Sequence, residues 1–407
     1  MPYTITEIEV TQPLPNLAIP EADTGIALIL RRKDKPIGFL MKALPEKSVL
    51  ASEDLAQLIA QEIGAKLLEE SIREELISPI ETNNFPSLTV AICTKDRTDN
   101  LTRCLGSLLK LQMPVSEGLP QFEILVVDNA PSDEQTKELV AALPSARYVR
   151  EPKPGLDFAR NHALQEATGE FLAFLDDDVV VDRKWLDGLR EAQAENPGAA
   201  AFTGLVLPYE LLTEAQILFE LRGGFRRGFE KIRYGKILPA NPLYPCGSGI
   251  FGAGCNMAFR RDVLLQLGGF DDALDTGAPL PGGGDLDIFY RVIRAGYPLV
   301  YEPQYVVYHQ HRREIEKLRR QYWTWGLGFM AFAVKSYQSD PPQRSQFFRL
   351  IIWWFKYQLW QIKERIKGRN PLPIGMIFAE LWGGIVGLLG EYPRSLKRIE
   401  QIRRQFS

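Results

Sequence analysis

The chain has 407 residues, 45% of them hydrophobic and 24% charged, and a formal net charge of −3. That balance is ordinary for a folded protein and excludes a disordered or collagen-like chain. Four cysteines without CxxC spacing argue against a disulfide scaffold or a zinc module and read as buried thiols of a reducing compartment, with Cys246–Cys255 left open as a bridge.

The first 85 residues read as a separate α+β unit. Ile5–Val10 and Gly25–Arg31 have strand character, and Pro36–Met41 follows a Lys-Asp-Lys turn. Ser52–Ile77 carries the caps and periodicity of a helix, and the polar, proline-containing stretch Ser78–Phe85 reads as a linker. No chemical motif lies in this unit.

From Pro86 the pattern alternates strand and helix. Leu88–Cys93 is apolar and β-rich, Leu101–Leu111 has helical spacing, Phe122–Val127 is a second apolar run, and Ser132–Ala142 is helical again. Gly155 opens a further helix carrying Arg160 and Asn161, and the apolar run Phe171–Leu175 follows. Successive βα units imply a parallel sheet, which binds ligands at the C-terminal ends of its strands. Those ends are Thr94, Lys95, Asp96 and Arg97, then Asp128 and Asn129, then Asp176, Asp177 and Asp178.

Three adjacent carboxylates repel one another, and a hard divalent cation with oxygen ligands is the simplest compensation. Asp176 and Asp177 point to opposite sides if the strand runs through them, which favours Asp178 as a direct ligand. Asp128 can accept a hydrogen bond from a base imide, or serve as an Asx-turn cap. Arg160 suits a carboxylate or phosphate, or braces Asp96 or Asp128. Further on, Gly282-Gly-Gly-Asp285 lets the backbone approach a ligand and places Asp285 to N-cap the apolar helix running to Ala295. Asp287 is expected to face elsewhere. His309 and His311 close an apolar strand from Pro298 to Tyr308 on one face, either as a metal ligand pair or as surface histidines beside Arg312 and Arg313.

This ordered set, Leu88–Arg97, VVDN at Val126–Asn129, GLDFARN at Gly155–Asn161, FLDDD at Phe174–Asp178, GGGDLDIFYR at Gly282–Arg291 and YHQH at Tyr308–His311, resembles family 2 glycosyltransferases of the GT-A fold. The resemblance spans roughly residues 86–320 and implies an inverting transfer of sugar from a nucleotide-diphosphate sugar to a hydroxyl. It implies that Asp128 reads the base and that Thr94, Asp96, Arg97, Arg160, Asp176 and Asp177 lie around the nucleotide sugar. A divalent ion, Mn2+ or Mg2+, would sit on Asp178 and His309, and Asp285 would be the general base. Where the family commonly has Glu-Asp, this chain has Gly284-Asp285. The segment Gln321-Tyr-Trp-Thr-Trp325 lacks the arginine of the processive QxxRW pattern.

The last segment, 321–407, reads as a helical tail. From Arg312 onward there are 18 Lys+Arg against 7 Asp+Glu, interleaved with Phe347, Phe348, Trp353, Trp354, Phe355, Tyr357 and Trp360. Such a tail suits an anionic membrane surface, packing on the catalytic domain, or a homodimer contact. No nucleic-acid-binding motif accompanies the charge. No uninterrupted apolar run reaches ~18 residues, so the expectation is a cytoplasmic protein, peripheral to the membrane at most. The organisation expected is thus a 1–85 appendage, an 86–320 GT-A Rossmann-like domain and a 321–407 helical region. The acceptor expected is a glycolipid, polysaccharide or other glycan precursor. A nucleotidyltransferase and a non-catalytic membrane-associated scaffold are the competing readings.

Overall fold

The computed structural model describes all residues except Met1, 45–48, 77–84, 113–121, 237–240, 276, 278–279 and 407. Most of the expected linker Ser78–Phe85 therefore lies outside the described residues.

The N-terminal strands β1 (Tyr3–Glu9), β3 (Gly25–Arg32) and β4 (Lys35–Ala43) form a three-stranded sheet in the order β1-β3-β4, and β2 (Leu17–Ala18) pairs with β5 (Val49–Leu50). Lys33 and Asp34 take positive φ at the tight turn. Helix α1 (Ser52–Leu76) buries Leu55 and Ile59 against this sheet. The unit is tied to the rest of the molecule by Arg31, a buried cation that reaches Glu7, Asp182 and Tyr308.

The central sheet contains nine strands among the described residues. They are β6 (Leu88–Thr94), β7 (Glu123–Asn129), β8 (Ala146–Glu151), β9 (Phe171–Asp176), β10 (Val179–Val181), β11 (Ala201–Pro208), β12 (Ile232–Tyr234), β13 (Asn256–Arg260) and β14 (Leu299–His309). Their order is β10-β14-β11-β13-β9-β6-β7-β8, with β12 pairing β14. Strands β9, β6, β7 and β8 are mutually parallel, and β13 runs antiparallel between β9 and β11. The run LTVAICT of β6 is apolar nearly throughout because both faces are covered.

Helices α2 (Thr98–Gln112), α3 (Gln135–Ala141), α4 (Leu156–Glu166), α5 (Trp185–Glu195), α6 (Glu214–Leu221), α7 (Arg261–Gln266) and α8 (Gly284–Arg294) connect the strands. In α2 the buried residues Leu101, Cys104, Leu105 and Leu108 recur at three and four, which seats one stripe on the sheet. The opposite face is filled by aromatic side chains, among them Phe174, Phe259, Phe270 and Phe289. Each buried phenyl of this kind stabilises the fold by ~1.5 to 3 kcal/mol.

Four further helices follow: α9 (Ile315–Ser339), α10 (Arg344–Ile366), α11 (Ile374–Val386) and α12 (Tyr392–Gln405). Helices α9 and α11 touch backbone to backbone. A Cβ on Gly326 would lie 2.0 Å from Glu380 O, and one on Gly383 would lie 1.9 Å from Trp323 O. The stretch Ile374–Gln405 is long and apolar enough by composition to cross a membrane, which the expected absence of such a segment had not foreseen. The helix breaks, however, at Leu389 and Gly390, and its Glu380 pairs with Arg222 at 3.1 Å. The straight part before the break is short of the ~20 residues a spanning helix needs.

All four cysteines are free, so no Cys246–Cys255 bridge forms. Helix α3 begins at Gln135, three residues later than the sequence pattern placed it, and Asp133 just before it accepts from Gln135 N at 3.0 Å.

Candidate active site

The strand ends converge on a cavity of about 1230 Å³. Strand β6 delivers Thr94 and Arg97, β7 delivers Asn129, and β9 ends at Asp176, after which Asp177 and Asp178 turn into β10. Asp177 accepts from Thr94 Oγ1 at 2.8 Å and from Arg97 Nη1 at 2.6 Å. Asp96, with φ of 52°, does not line the cavity and accepts from Ser132 N at 2.8 Å, tying the two loops together. Asp128 is buried, with Oδ2 bonded to Tyr148 at 3.0 Å and Oδ1 without a partner. Burial pushes its carboxyl pKa up.

Asp176, Asp178 and His309 bring one ligand atom each within 4.8 Å of one another. His311 is not in this cluster, and the reason is geometric. His309 Nε2 faces Asp178 Oδ1 at 3.2 Å, while its Nδ1 meets His311 Nδ1 at 3.0 Å, and His311 Nε2 meets Glu220 Oε1 at 2.6 Å. Glu220 is paired with Arg226 and so acts as an acceptor. His311, kept neutral by burial, must then carry its proton on Nε2 and accept at Nδ1. His309 donates from Nδ1, and its Nε2 lone pair faces a buried carboxylate oxygen that has no aligned hydrogen bond. With Asp176 beside them, these closely spaced oxygen and imidazole donors suit a divalent cation.

The electrostatics fit the same picture. Burial raises the Asp176 carboxyl, and the Asp178 charge raises it further. Burial likewise lifts Asp177 to about 6 against the pull of Arg97. Burial works against ionisation of Asp178 too, but the facing His309 ring and then Arg97 and Arg312 hold it well below the usual carboxylate range.

Asp285 also lines the cavity, but it does not N-cap α8 as its spacing implied. Gly283, at φ of 109°, is the cap residue, and Asp285 sits in the first turn, accepting from Gly254 N at 3.2 Å and Leu286 N at 2.8 Å. The absence of glutamate at 284 has a steric cause: a Cβ there would lie 2.1 Å from Asp157 Oδ2 and 2.7 Å from Asp275 Oδ2. Those two carboxylates share Arg160, at 3.0 and 3.2 Å. Arg160 thus lines the cavity but braces Asp157 and Asp275, and neither Asp96 nor Asp128. Asp287 turns away, paired with Arg291 at 2.7 Å and Lys335 at 2.5 Å.

Two carboxylates on one guanidinium give a pH signature. Burial raises Asp275 to about 6 despite Arg160, so the fold holds its proton more tightly than the unfolded chain does. Stability from this group is full below about pH 4 and is lost as pH rises through about 6. Asp275 has positive φ, which asparagine tolerates. Compared with Asp275→Asn in thermal melts, the wild type should therefore lose up to about 3 kcal/mol of relative stability between pH 4 and 6. Parallel pH profiles for the two proteins would show that Asp275 is ionised throughout.

Sequence reasoning missed Asp157, Asp275, Glu220 and Arg312, and the aromatic wall of the cavity formed by Trp325, Phe329, Trp353, Trp354 and Tyr357. Arg312 alone was findable, since it directly follows the histidine pair.

Residues 89–268 match the sequence profile of glycosyl transferase family 2. The chain carries a family 2 glycosyltransferase domain. The succinoglycan biosynthesis protein ExoM of Rhizobium meliloti is 30% identical over 227 residues, 54% of this chain and 66% of the relative. Glycosyltransferase AglE of Haloferax volcanii is 25% identical over 246 residues, 59% of this chain and 72% of its own. The chain thus spans about two thirds of the length of these relatives. Among solved structures, the mannosyltransferase PcManGT from Pyrobaculum calidifontis in complex with GDP-Man and Mn2+ is 17% identical, with 85% of this chain and 86% of that chain covered and a TM-score of 0.45. The mixed, largely parallel sheet of this glycosyltransferase domain is of the GT-A class, with a helical C-terminal region outside the matched residues.

Proposed function

We propose that the protein transfers a sugar from a nucleotide-diphosphate sugar to an acceptor hydroxyl, with inversion, and depends on a divalent cation held by Asp176, Asp178 and His309. The observation that carries this reading is the cluster of Asp176, Asp178 and His309, one ligand atom of each within 4.8 Å of the others, in the cavity that also holds Asp285. When bound, the cation would neutralise charge on the departing nucleoside diphosphate. Arg97 and Arg312, which flank Asp178, add positive charge on the same side. The buried Asp128 Oδ1 has no partner and would accept from a base N–H, although Asp128 itself does not line the cavity. Asp285 takes the proton of the attacking hydroxyl, and a single displacement inverts the anomeric carbon. We assign these roles to residues 86–320, with 1–85 as an appendage and 321–407 as a helical region.

A panel of nucleotide sugars screened by thermal shift tests donor binding. One donor should stabilise the protein strongly with Mn2+ and weakly without it, and a panel-wide absence of stabilisation would contradict the reading.

The histidine relay makes Glu220 a positioning residue for the cation. Glu220→Gln removes the charge that fixes both tautomers and should weaken Mn2+ binding about 10-fold or more, as outer partners of metal ligands typically do. Mn2+ titration monitored by electron paramagnetic resonance, without donor, reads this directly. The chain has only three histidines, so nitrogen NMR can assign their tautomers. His309 should be protonated at Nδ1 and His311 at Nε2, and the reverse would remove Glu220 from this role.

A further inference from the structure

Helix α10 presents an unusual outer face. Its inner residues Phe347, Leu350, Trp354, Gln358 and Gln361 are buried. From Phe348 on, its exposed residues are large and apolar, Phe348, Ile352, Trp353, Leu359, Trp360 and Ile366, or basic, among them Arg349, Lys356, Lys363 and Lys367 just past its end. The one acidic residue of the helix, Glu364, is not exposed and is neutralised by Lys367 and Arg369. Water does not favour two tryptophans left 46% and 53% exposed on one helix, and a contiguous apolar patch of this kind marks an interaction surface.

The face is also continuous with the cavity. Trp353 stacks on Tyr357 at 5.4 Å and 11°, and Tyr357 stacks on Trp360 at 5.6 Å and 24°. Trp353 and Tyr357 line the cavity that holds Asp285, whereas Trp360 lies outside it. A row of aromatic rings thus runs from the site to the surface.

We propose that the outer face of α10 docks on an anionic lipid surface, with the mouth of the cavity at the level of the headgroups. Basic residues interleaved with exposed tryptophans complement negative headgroups and the interfacial region beneath them, and no exposed carboxylate on this helix opposes the contact. The proposal rests on the transferase reading for its consequence, which is that the acceptor hydroxyl reaches Asp285 from a lipid-borne molecule lying along the Trp353–Tyr357 row. Of the three tryptophans on this helix, Trp354 is only 5% exposed and packs against Phe329 and Gly384, so the membrane-facing pair is Trp353 and Trp360.

The test uses the full chain, without donor or metal, and flotation on phosphatidylcholine vesicles with or without about 30% phosphatidylserine. Binding should require the anionic lipid and fall as salt shortens the screening length below ~8 Å. The double variant Lys356→Glu/Lys363→Glu should weaken partitioning more than 10-fold, at about fivefold or more per charge. Phe348→Ser/Leu359→Ser should also weaken it, and because these side chains are exposed the fold should be kept, as a thermal melt would check. Absence of binding at low salt, equal binding to neutral vesicles, or a solution dimer broken by the same substitutions would each overturn the proposal. A protein that binds vesicles yet turns over no nucleotide sugar would instead contradict the catalytic reading alone.

Discussion

Replacing Asp285 by asparagine should leave nucleotide-sugar affinity near the wild-type value while lowering transfer by ~10² to 10⁴-fold, the range usual for loss of a general base. The prediction is sharp because Asp285 does not cap α8. Gly283 occupies that position, and the contacts of Asp285 are acceptances from Gly254 N and Leu286 N. An asparagine carbonyl oxygen can keep one of these, so the fold should survive. Donor affinity from thermal shift and kcat from nucleoside diphosphate release separate the two effects. Near-normal kcat in the variant would remove Asp285 from the chemistry, and loss of fold would return it to a structural part.

Asp178→Asn should abolish metal-dependent turnover. A carboxamide is a neutral and weaker oxygen ligand, and it leaves Asp176 and His309 as the only members of the cluster. The variant removes a carboxylate buried beside Arg97 and Arg312, so a modest fall in stability accompanies it. Mn2+ affinity should fall in parallel with activity. His309→Ala should do the same, and His311→Ala should weaken the metal less, because His311 acts through His309. Turnover that persists at the wild-type rate in EDTA would contradict the metal assignment.

The fold was legible where the chain is apolar and repetitive. LTVAICT and EILVVDN read as strands because both faces are covered, and the alternation with helices announced the parallel sheet. Strand β8, ARYVRE, was not read, since it pairs on the sheet with β7 alone and carries charged side chains such as Arg147 and Arg150. The aspartate triplet was legible because charge concentrated at the end of an apolar run has few other uses. The partners that position it were not. Glu220 and His311 are 91 residues apart, and Arg160 and Asp275 are 115 apart, so only the folded sheet brings each pair together. The tail showed its aromatic and basic character in sequence, but which tryptophan faces outward depends on how α10 sits against Gly384 and Phe329.

The products released by the wild-type protein measure metal-dependent sugar transfer most directly. Incubation with each of a panel of nucleotide sugars and Mn2+, followed by nucleotide analysis, should yield free nucleoside diphosphate from one donor, with the yield lost in EDTA and in Asp178→Asn. Release of pyrophosphate, or release of nucleoside diphosphate that EDTA leaves unchanged, would contradict it.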